Sequence, residues 1–219
     1  MQLIHDHYKE RLREIFKVLN NEVKIVVFTQ DFECTYCKDN TELLRELVEL
    51  SDKLKLEVYD FVNDSNKAKE LKIDKIPAIA LIGEKDYGIR FYGIPSGYEF
   101  GSLIDDIIDV SKGESRLSKS SKEKIRAVTS PLHIQVFVTL TCPYCPKAVR
   151  LAHQMAIEND NIRSDMIEST EFPQLANRYN VMSVPKTIVN DKIEFEGALP
   201  EQYYIQQVLL ALDDKPMYT

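Results

Sequence analysis

The chain has 219 residues, 44% hydrophobic and 29% charged, the composition of an ordinary globular protein with room for two domains of about 100 residues each. Its formal charge of −7 argues against nucleic acid as a partner, because neutralising phosphates requires a basic surface. No apolar run approaches the roughly 20 residues of a membrane span, and the charged opening MQLIHDHYKERLREIF lacks the apolar core of a secretory leader. A cytoplasmic protein without membrane segments is expected.

In chain order, a helix is expected from His5 to Leu19. The β-branched run VKIVVF (23–28) then reads as a buried strand. CTYC (34–37) opens a helix whose apolar stripe is Leu43, Leu44, Leu47 and Val48. A second strand, LKLEVYDF, precedes a short helix near Ala68 and the proline Pro77. A hairpin turning near Gly83–Asp86 follows, then a helix carrying Leu103, Ile104, Ile107 and Ile108.

The same order then repeats. A helix from Ser118 to Val128 leads to HIQVFV (133–138) and to CPYC (142–145), which opens a helix with Val149, Ala152, Met155 and Ala156 on one face. The strand IRSDMIE, a short helix near Ala176 and Pro185 follow. A tighter hairpin turns at Asn190-Asp191 before a closing helix with Ile205, Val208, Leu209 and Leu212. The first cysteines are 108 residues apart (142 − 34), and so are the prolines (185 − 77). Ile73 aligns with Val181, Ile76 with Val184, Val58 with Met166 and Asp60 with Glu168. The spacing indicates an internal duplication, divided as residues 1–115 and 116–219.

All four cysteines lie in the two Cys-x-x-Cys motifs. In a reducing compartment such pairs are redox sites or metal ligands. Zinc ribbons separate their pairs by roughly 15–20 residues. Cys37 and Cys142 are 105 apart (142 − 37), each inside its own repeat, so the redox reading is preferred and no metal is expected.

A Cys-x-x-Cys at a strand-to-helix junction, with an x-Pro starting a later strand, resembles a thioredoxin-fold unit. Two such units resemble the glutaredoxin-like protein disulfide oxidoreductases of thermophilic archaea and bacteria over essentially the whole length. The resemblance implies an α/β fold of two tandem thioredoxin-fold units, each a mixed sheet flanked by helices, with the two sheets able to join. It implies thiol–disulfide exchange on protein disulfides or dithiols, with a thioredoxin reductase as electron donor. No bound cofactor is implied, since the cysteines carry the electrons.

Cys34 and Cys142, placed at helix N-termini, are then the nucleophiles, and Cys37 and Cys145 the more buried resolving thiols. Glu33 disfavours the Cys34 thiolate, whereas Thr141 before Cys142 is neutral, so Cys142 is expected to be the faster nucleophile. Pro143 suits a first helical turn, and Pro146 is tolerated there. The resemblance makes Pro77 and Pro185 cis, with Ile76 and Val184 pairing their backbone to substrate. Tyr36 and Tyr144 are expected to border the sites and touch substrate.

Asp60 and Glu168, each 26 residues after a nucleophilic cysteine, are candidate proton relays, against the plainer and preferred reading of solvated acids at strand ends. His5 and His7 belong to a helix face, and His153 to helix surface or partial core. Thioredoxins carry a tryptophan before the motif and a buried acid on the preceding strand. This chain has no tryptophan, and Phe28 and Val136 stand where that acid would be. Single glycines, Gly93 and Gly197, replace the glycine pair of glutaredoxins, so glutathione is not expected as dedicated reductant.

The chain also resembles the two-unit N-terminal domain of bacterial alkyl hydroperoxide reductase flavoproteins, which keeps its pair only in the second unit. That likeness makes an electron carrier to a peroxiredoxin a rival reading, although this sequence contains no flavin-binding segment. A zinc-held or purely substrate-binding module is the rival from a different class.

Overall fold

The computed structural model describes residues 3–212. The first half runs α1 (Asp6–Phe16), β1 (Val23–Thr29), α2 (Cys37–Val48), β2 (Leu54–Asp60), α3 (Ser65–Glu70), β3 (Ala78–Ile82), β4 (Asp86–Tyr92) and α4 (Glu99–Lys112). The second runs α5 (Lys119–Arg126), β5 (Leu132–Val138), α6 (Cys145–Glu158), β6 (Ile162–Glu168), α7 (Pro173–Arg178), β7 (Lys186–Val189), β8 (Ile193–Glu196) and α8 (Glu201–Leu209).

Local chemistry explains several boundaries. Ser118 caps α5 by accepting a hydrogen bond from the Ser121 N–H. Asn190 and Asp191 both take positive φ, 51° and 55°, as the two central residues of a turn closed by Lys192 N–H to the Val189 carbonyl, and the β7–β8 hairpin turns there as its sequence suggests. The division at 115/116 falls in the segment between α4 and α5.

All eight strands form one sheet, in the order β2-β1-β3-β4-β6-β5-β7-β8. Within each half the first two strands are parallel and the hairpin antiparallel. The halves join where β4 runs parallel to β6, from Ile89 opposite Ser164 to Tyr92 opposite Ile167. The second unit therefore repeats the first by displacement along the sheet, and β1 and β5 point the same way. The fold is the expected pair of thioredoxin-like units, with their sheets merged.

Side chains alternate across this sheet. Ile25, Val27, Ile134 and Val136 face a large core under α1, α2, α4, α5, α6 and α8. Val26, Phe28, Phe137 and Ile167 face a smaller one under α3 and α7. The duplication places equivalent residues in unequal surroundings. Val58, on the edge strand β2, is 38% exposed, whereas its counterpart Met166, on the central strand β6, is buried.

Between the halves, α4 packs along α6 in a seam of buried charge. Asp106 accepts from His153 Nδ1 at 2.6 Å and pairs with Arg150, and Arg150 also pairs with Asp109. His153 is fully buried and meets the Phe91 ring edge-on at 4.9 Å, which corrects the expectation of a surface or partly buried residue. Helix α6 is covered by a helix of the other unit, an arrangement no single-repeat reading contains. Burial holds His153 down to about 3, so it is neutral and donates to Asp106.

Candidate functional site

Each motif sits in the turn between the C-terminal end of a strand and a long helix: β1 to α2, and β5 to α6. Cys34 is disulfide-bonded to Cys37 and Cys142 to Cys145, with Cα atoms 5.5 Å apart in both pairs. The second cysteine, not the first, begins the helix in each unit, with Tyr36 or Tyr144 at the N-cap. Accordingly Pro146, not Pro143, occupies the first turn of α6. Pro143 precedes the cap, where its fixed φ shapes the loop instead.

Cys37 and Cys145 are buried, while Cys34 is part-exposed and Cys142 sits at 8% exposure. The turn still aims the helix end at the sulfur. The Cys145 N–H donates to Cys142 Sγ at 3.1 Å, and that sulfur lies 3.8 Å from the Val184 carbonyl oxygen. Among the described residues no N–H makes the equivalent bond to Cys34 Sγ. Glu33, just before Cys34, is held at φ 54° in the left-handed region, whereas Thr141 is not. Cys34 instead opens on a groove of about 330 Å³ lined by Gln30, Lys38, Arg45 and Val58.

The Ile76–Pro77 and Val184–Pro185 bonds are both cis. Each proline is pinned by the glycine that ends its hairpin: Gly93 N–H to the Pro77 carbonyl at 3.0 Å, and Gly197 N–H to the Pro185 carbonyl at 2.8 Å. Among the described residues neither Ile76 nor Val184 has a partner for its backbone N–H. Tyr36 and Tyr144 stand exposed, at 42% and 70%.

The two candidate relay acids part company. Asp60 caps the loop after β2, its Oδ1 accepting from the N–H groups of Val62 and Asn63. Glu168 is 1% exposed, which overturns the solvated reading for this residue. Its Oε2 accepts from Thr170 and from the Glu171 N–H, while Oε1 has no partner among the described residues. Burial follows from the join: Gly93 of the first unit lies against the Glu168 side chain, and Ile94 donates to Glu171 at 2.7 Å. Neither acid is hydrogen-bonded to a resolving cysteine.

A third acid, which sequence reasoning passes over, opens the helix whose start is tied to Leu140, two residues before the second pair. Glu99 opens α4, is fully buried, and neither carboxylate oxygen has a hydrogen-bond partner among the described residues. The contacts Asp106–His153 and Asp109–Arg150 set α4 and α6 side by side, and the parallel strands β4 and β5 that they follow start both at the same end of the sheet. Tyr98 N–H fixes their shared start by donating to the Leu140 carbonyl at 3.1 Å. Glu99 thus stands in the first turn of a helix that starts beside the segment leading into the second pair. Burial pushes the Glu99 carboxyl up to about 7, offset only in part by Ser102. A carboxyl that titrates near neutrality is suited to accept and return a proton.

Among the described residues no cluster of three or more His, Cys, Asp or Glu side chains is placed to hold a metal ion. Nor do the cysteine pairs converge. β1 and β5 are four strand spacings apart in the sheet, about 19 Å at roughly 4.8 Å each.

A pair of this kind opens and closes by two electrons without disturbing the helix that carries it. Carried twice, beside a cis-proline each time, it makes the chain a thiol–disulfide oxidoreductase of two thioredoxin-fold units. Comparison with known proteins agrees. The family model described as "Thioredoxin domain" matches residues 132–210, in the second unit. The crystal structure of a protein disulfide oxidoreductase from Aeropyrum pernix superposes with a TM-score of 0.90 at 33% identity, covering 96% of this chain and 94% of that one. The N-terminal domain of the alkyl hydroperoxide reductase AhpF from Enterococcus faecalis superposes with a TM-score of 0.85 at 26% identity, covering 96% and 100%. AhpF of Staphylococcus aureus is 28% identical over 188 residues, which are 86% of this chain and 34% of that one. The chain thus spans about a third of the length of the curated relatives it matches. It belongs to the protein disulfide oxidoreductase family.

No helix among the described residues is long and apolar enough to cross a membrane.

Proposed function

We propose that the chain exchanges electrons with protein substrates through both pairs, reducing disulfides or oxidising dithiols according to what recharges it. The observation that carries this reading is the setting of Cys142 Sγ, between the Cys145 N–H at 3.1 Å and the Val184 carbonyl at 3.8 Å. In the reducing direction the Cys142 thiolate attacks a substrate disulfide, forming a mixed disulfide and releasing one substrate thiolate. Cys145 then loses its proton to Glu99 and attacks Cys142 Sγ. That breaks the mixed bond, closes the Cys142–Cys145 disulfide and frees the second substrate thiolate. Two electrons pass to the substrate and none is left over. Cys34 and Cys37 repeat these steps in the first unit without a counterpart of Glu99.

The cysteines carry the electrons without a bound cofactor, and a thioredoxin reductase in the cytoplasm restores the dithiols. A second reading is favoured by the likeness to AhpF: delivery of the same electrons to a peroxiredoxin.

The test uses two double variants, Cys34→Ser/Cys37→Ser and Cys142→Ser/Cys145→Ser, titrated through a dithiol buffer series with metal content measured in parallel. Both retained pairs are expected to show a reversible two-electron transition. Insulin reduction driven by thioredoxin reductase is expected to exceed stimulation of peroxide turnover, and the reverse order selects the second reading. Thiols that stay reduced, with stoichiometric zinc in the parent chain, would sink both.

A further inference from the structure

The residue two positions before Val184 is Met182, and it is 89% exposed. An exposed methionine contributes nothing to a core, and it stands in the loop that leads to Val184, whose carbonyl meets Cys142 Sγ. The Val184 N–H, just beyond it, has no partner among the described residues. Tyr144, at the head of α6, adds a second exposed apolar side chain within the motif itself.

A third comes from the other unit. Tyr98, 54% exposed, is tied by its N–H to the Leu140 carbonyl, two residues before Cys142. Gly97 makes this approach possible. Its φ is +58°, and a Cβ there would collide with the Leu140 carbonyl oxygen. The surroundings of the second pair are thus completed by the first unit.

The first pair has exposed apolar side chains of its own, Phe32 at 79% and Tyr36 at 42%, but a different residue pair before its cis-proline. By the 108-residue repeat the counterparts of Met182 and Ser183 are Asp74 and Lys75. Those two are ion-paired at 2.5 Å, with the Asp74 side chain 68% exposed, and Lys75 Nζ sits 3.7 Å from the centre of the Tyr92 ring. Tyr98 has no matching neighbour at the first pair. Its counterpart, taken from the aligned glycines Gly93 and Gly197, is Gln202, which is engaged by Ser118 and Ser121 within its own unit.

We infer that the second pair selects extended apolar segments of protein substrates, read by Met182, Tyr144 and Tyr98, while Asp74 and Lys75 discriminate against such segments at the first. The inference rests on the reading that both pairs exchange with protein disulfides. An extended occupant follows from the open backbone of Val184, since a chain adding as a strand is held by main-chain bonds and sorted by alternate side chains. An apolar one follows from the rim. Methionine adapts to varied apolar shapes, and tyrosine offers rigid apolar area at small entropic cost. At the first pair an apolar segment would have to desolvate a carboxylate and an ammonium with nothing to replace their water.

The test measures kcat/KM for two disulfide-linked peptides of equal length, one with Leu and Phe flanking its cysteine, the other with Asp and Ser. It uses the full chain with one pair retained. The second pair is expected to prefer the apolar peptide, and Met182→Asp and Tyr98→Ser each to reduce that preference about tenfold. At the first pair, Asp74→Met is expected to raise preference for the apolar peptide severalfold. Because each preference is a ratio measured on one preparation, partial misfolding cancels. Unchanged ratios in all three variants would overturn the inference. Reduction of hydroxyethyl disulfide by the two unmodified single-pair proteins is the separate check: its absence at both would overturn the functional reading underneath.

Discussion

The backbone N–H of Cys145 points at Cys142 Sγ across 3.1 Å, a hydrogen bond that grows stronger when the sulfur becomes a thiolate. The Cys34 sulfur has no such donor among the described residues and follows Glu33. After reduction, Cys142 is expected to react with iodoacetamide about ten times faster than Cys34 near neutral pH, which corresponds to about 1.4 kcal/mol. Rates read peptide by peptide in a mass spectrometer decide this. Equal rates, or a faster Cys34, would remove the ranking.

Glu33 contributes strain as well as charge. A non-glycine residue at φ 54° costs roughly 1 kcal/mol in local sterics. Glu33→Gly is expected to raise the melting temperature by about 2 °C and to speed alkylation of Cys34, leaving Cys142 unchanged. Unchanged Cys34 reactivity would show that Glu33 has no electrostatic hold on the thiolate.

Glu99 makes stability and chemistry depend on pH together. Its carboxyl titrates at about 7 in the fold, against an ordinary value of 4.5. Between those values the folded chain keeps a proton that the unfolded chain has released, so stability falls as pH rises through that window. The fall is on the order of 3 kcal/mol. Glu99→Gln is expected to flatten it, so urea midpoints of variant and parent should diverge most above pH 7. The same variant should accumulate the Cys142 mixed disulfide, because Cys145 loses its proton acceptor. A mixed disulfide that resolves at the parent rate would place the acceptor elsewhere.

The seam between α4 and α6 carries charge that neither helix could bury alone. Asp106 holds both His153 and Arg150. Asp106→Ala leaves the Arg150 charge short of a partner and should destabilise the chain by about 3–5 kcal/mol. Because the lost contacts span both units, a single shared unfolding transition should move to lower urea. Two separate transitions would mean that the units fold independently.

The sequence makes the units legible and hides the join. Strand and helix periods, the 108-residue spacing and the paired positive-φ turn at Asn190-Asp191 all mark elements that close within one repeat. Which strand edges meet is not written in any local pattern. Met166 and Val58 occupy the same place in their repeats, yet one is covered because β4 reaches β6. For the same reason Glu168 reads as a strand-end acid, and His153 as one more residue of a helix. Glu99 escapes notice because an acid in a first helical turn is ordinary capping electrostatics. Only the approach of Gly97 to Leu140 brings the start of its helix to the segment before a cysteine pair in the other half.

The common direction of β1 and β5 sets both pairs on one side of the molecule, too far apart for sulfur to touch sulfur. Disulfide exchange proceeds only at bonding distance, so neither pair can refill the other within the fold. The protein is in effect a purse with two compartments, holding four electrons and releasing them two at a time. A partner broad enough to span the shared edge meets both in a single encounter, and can take from one what it returns to the other.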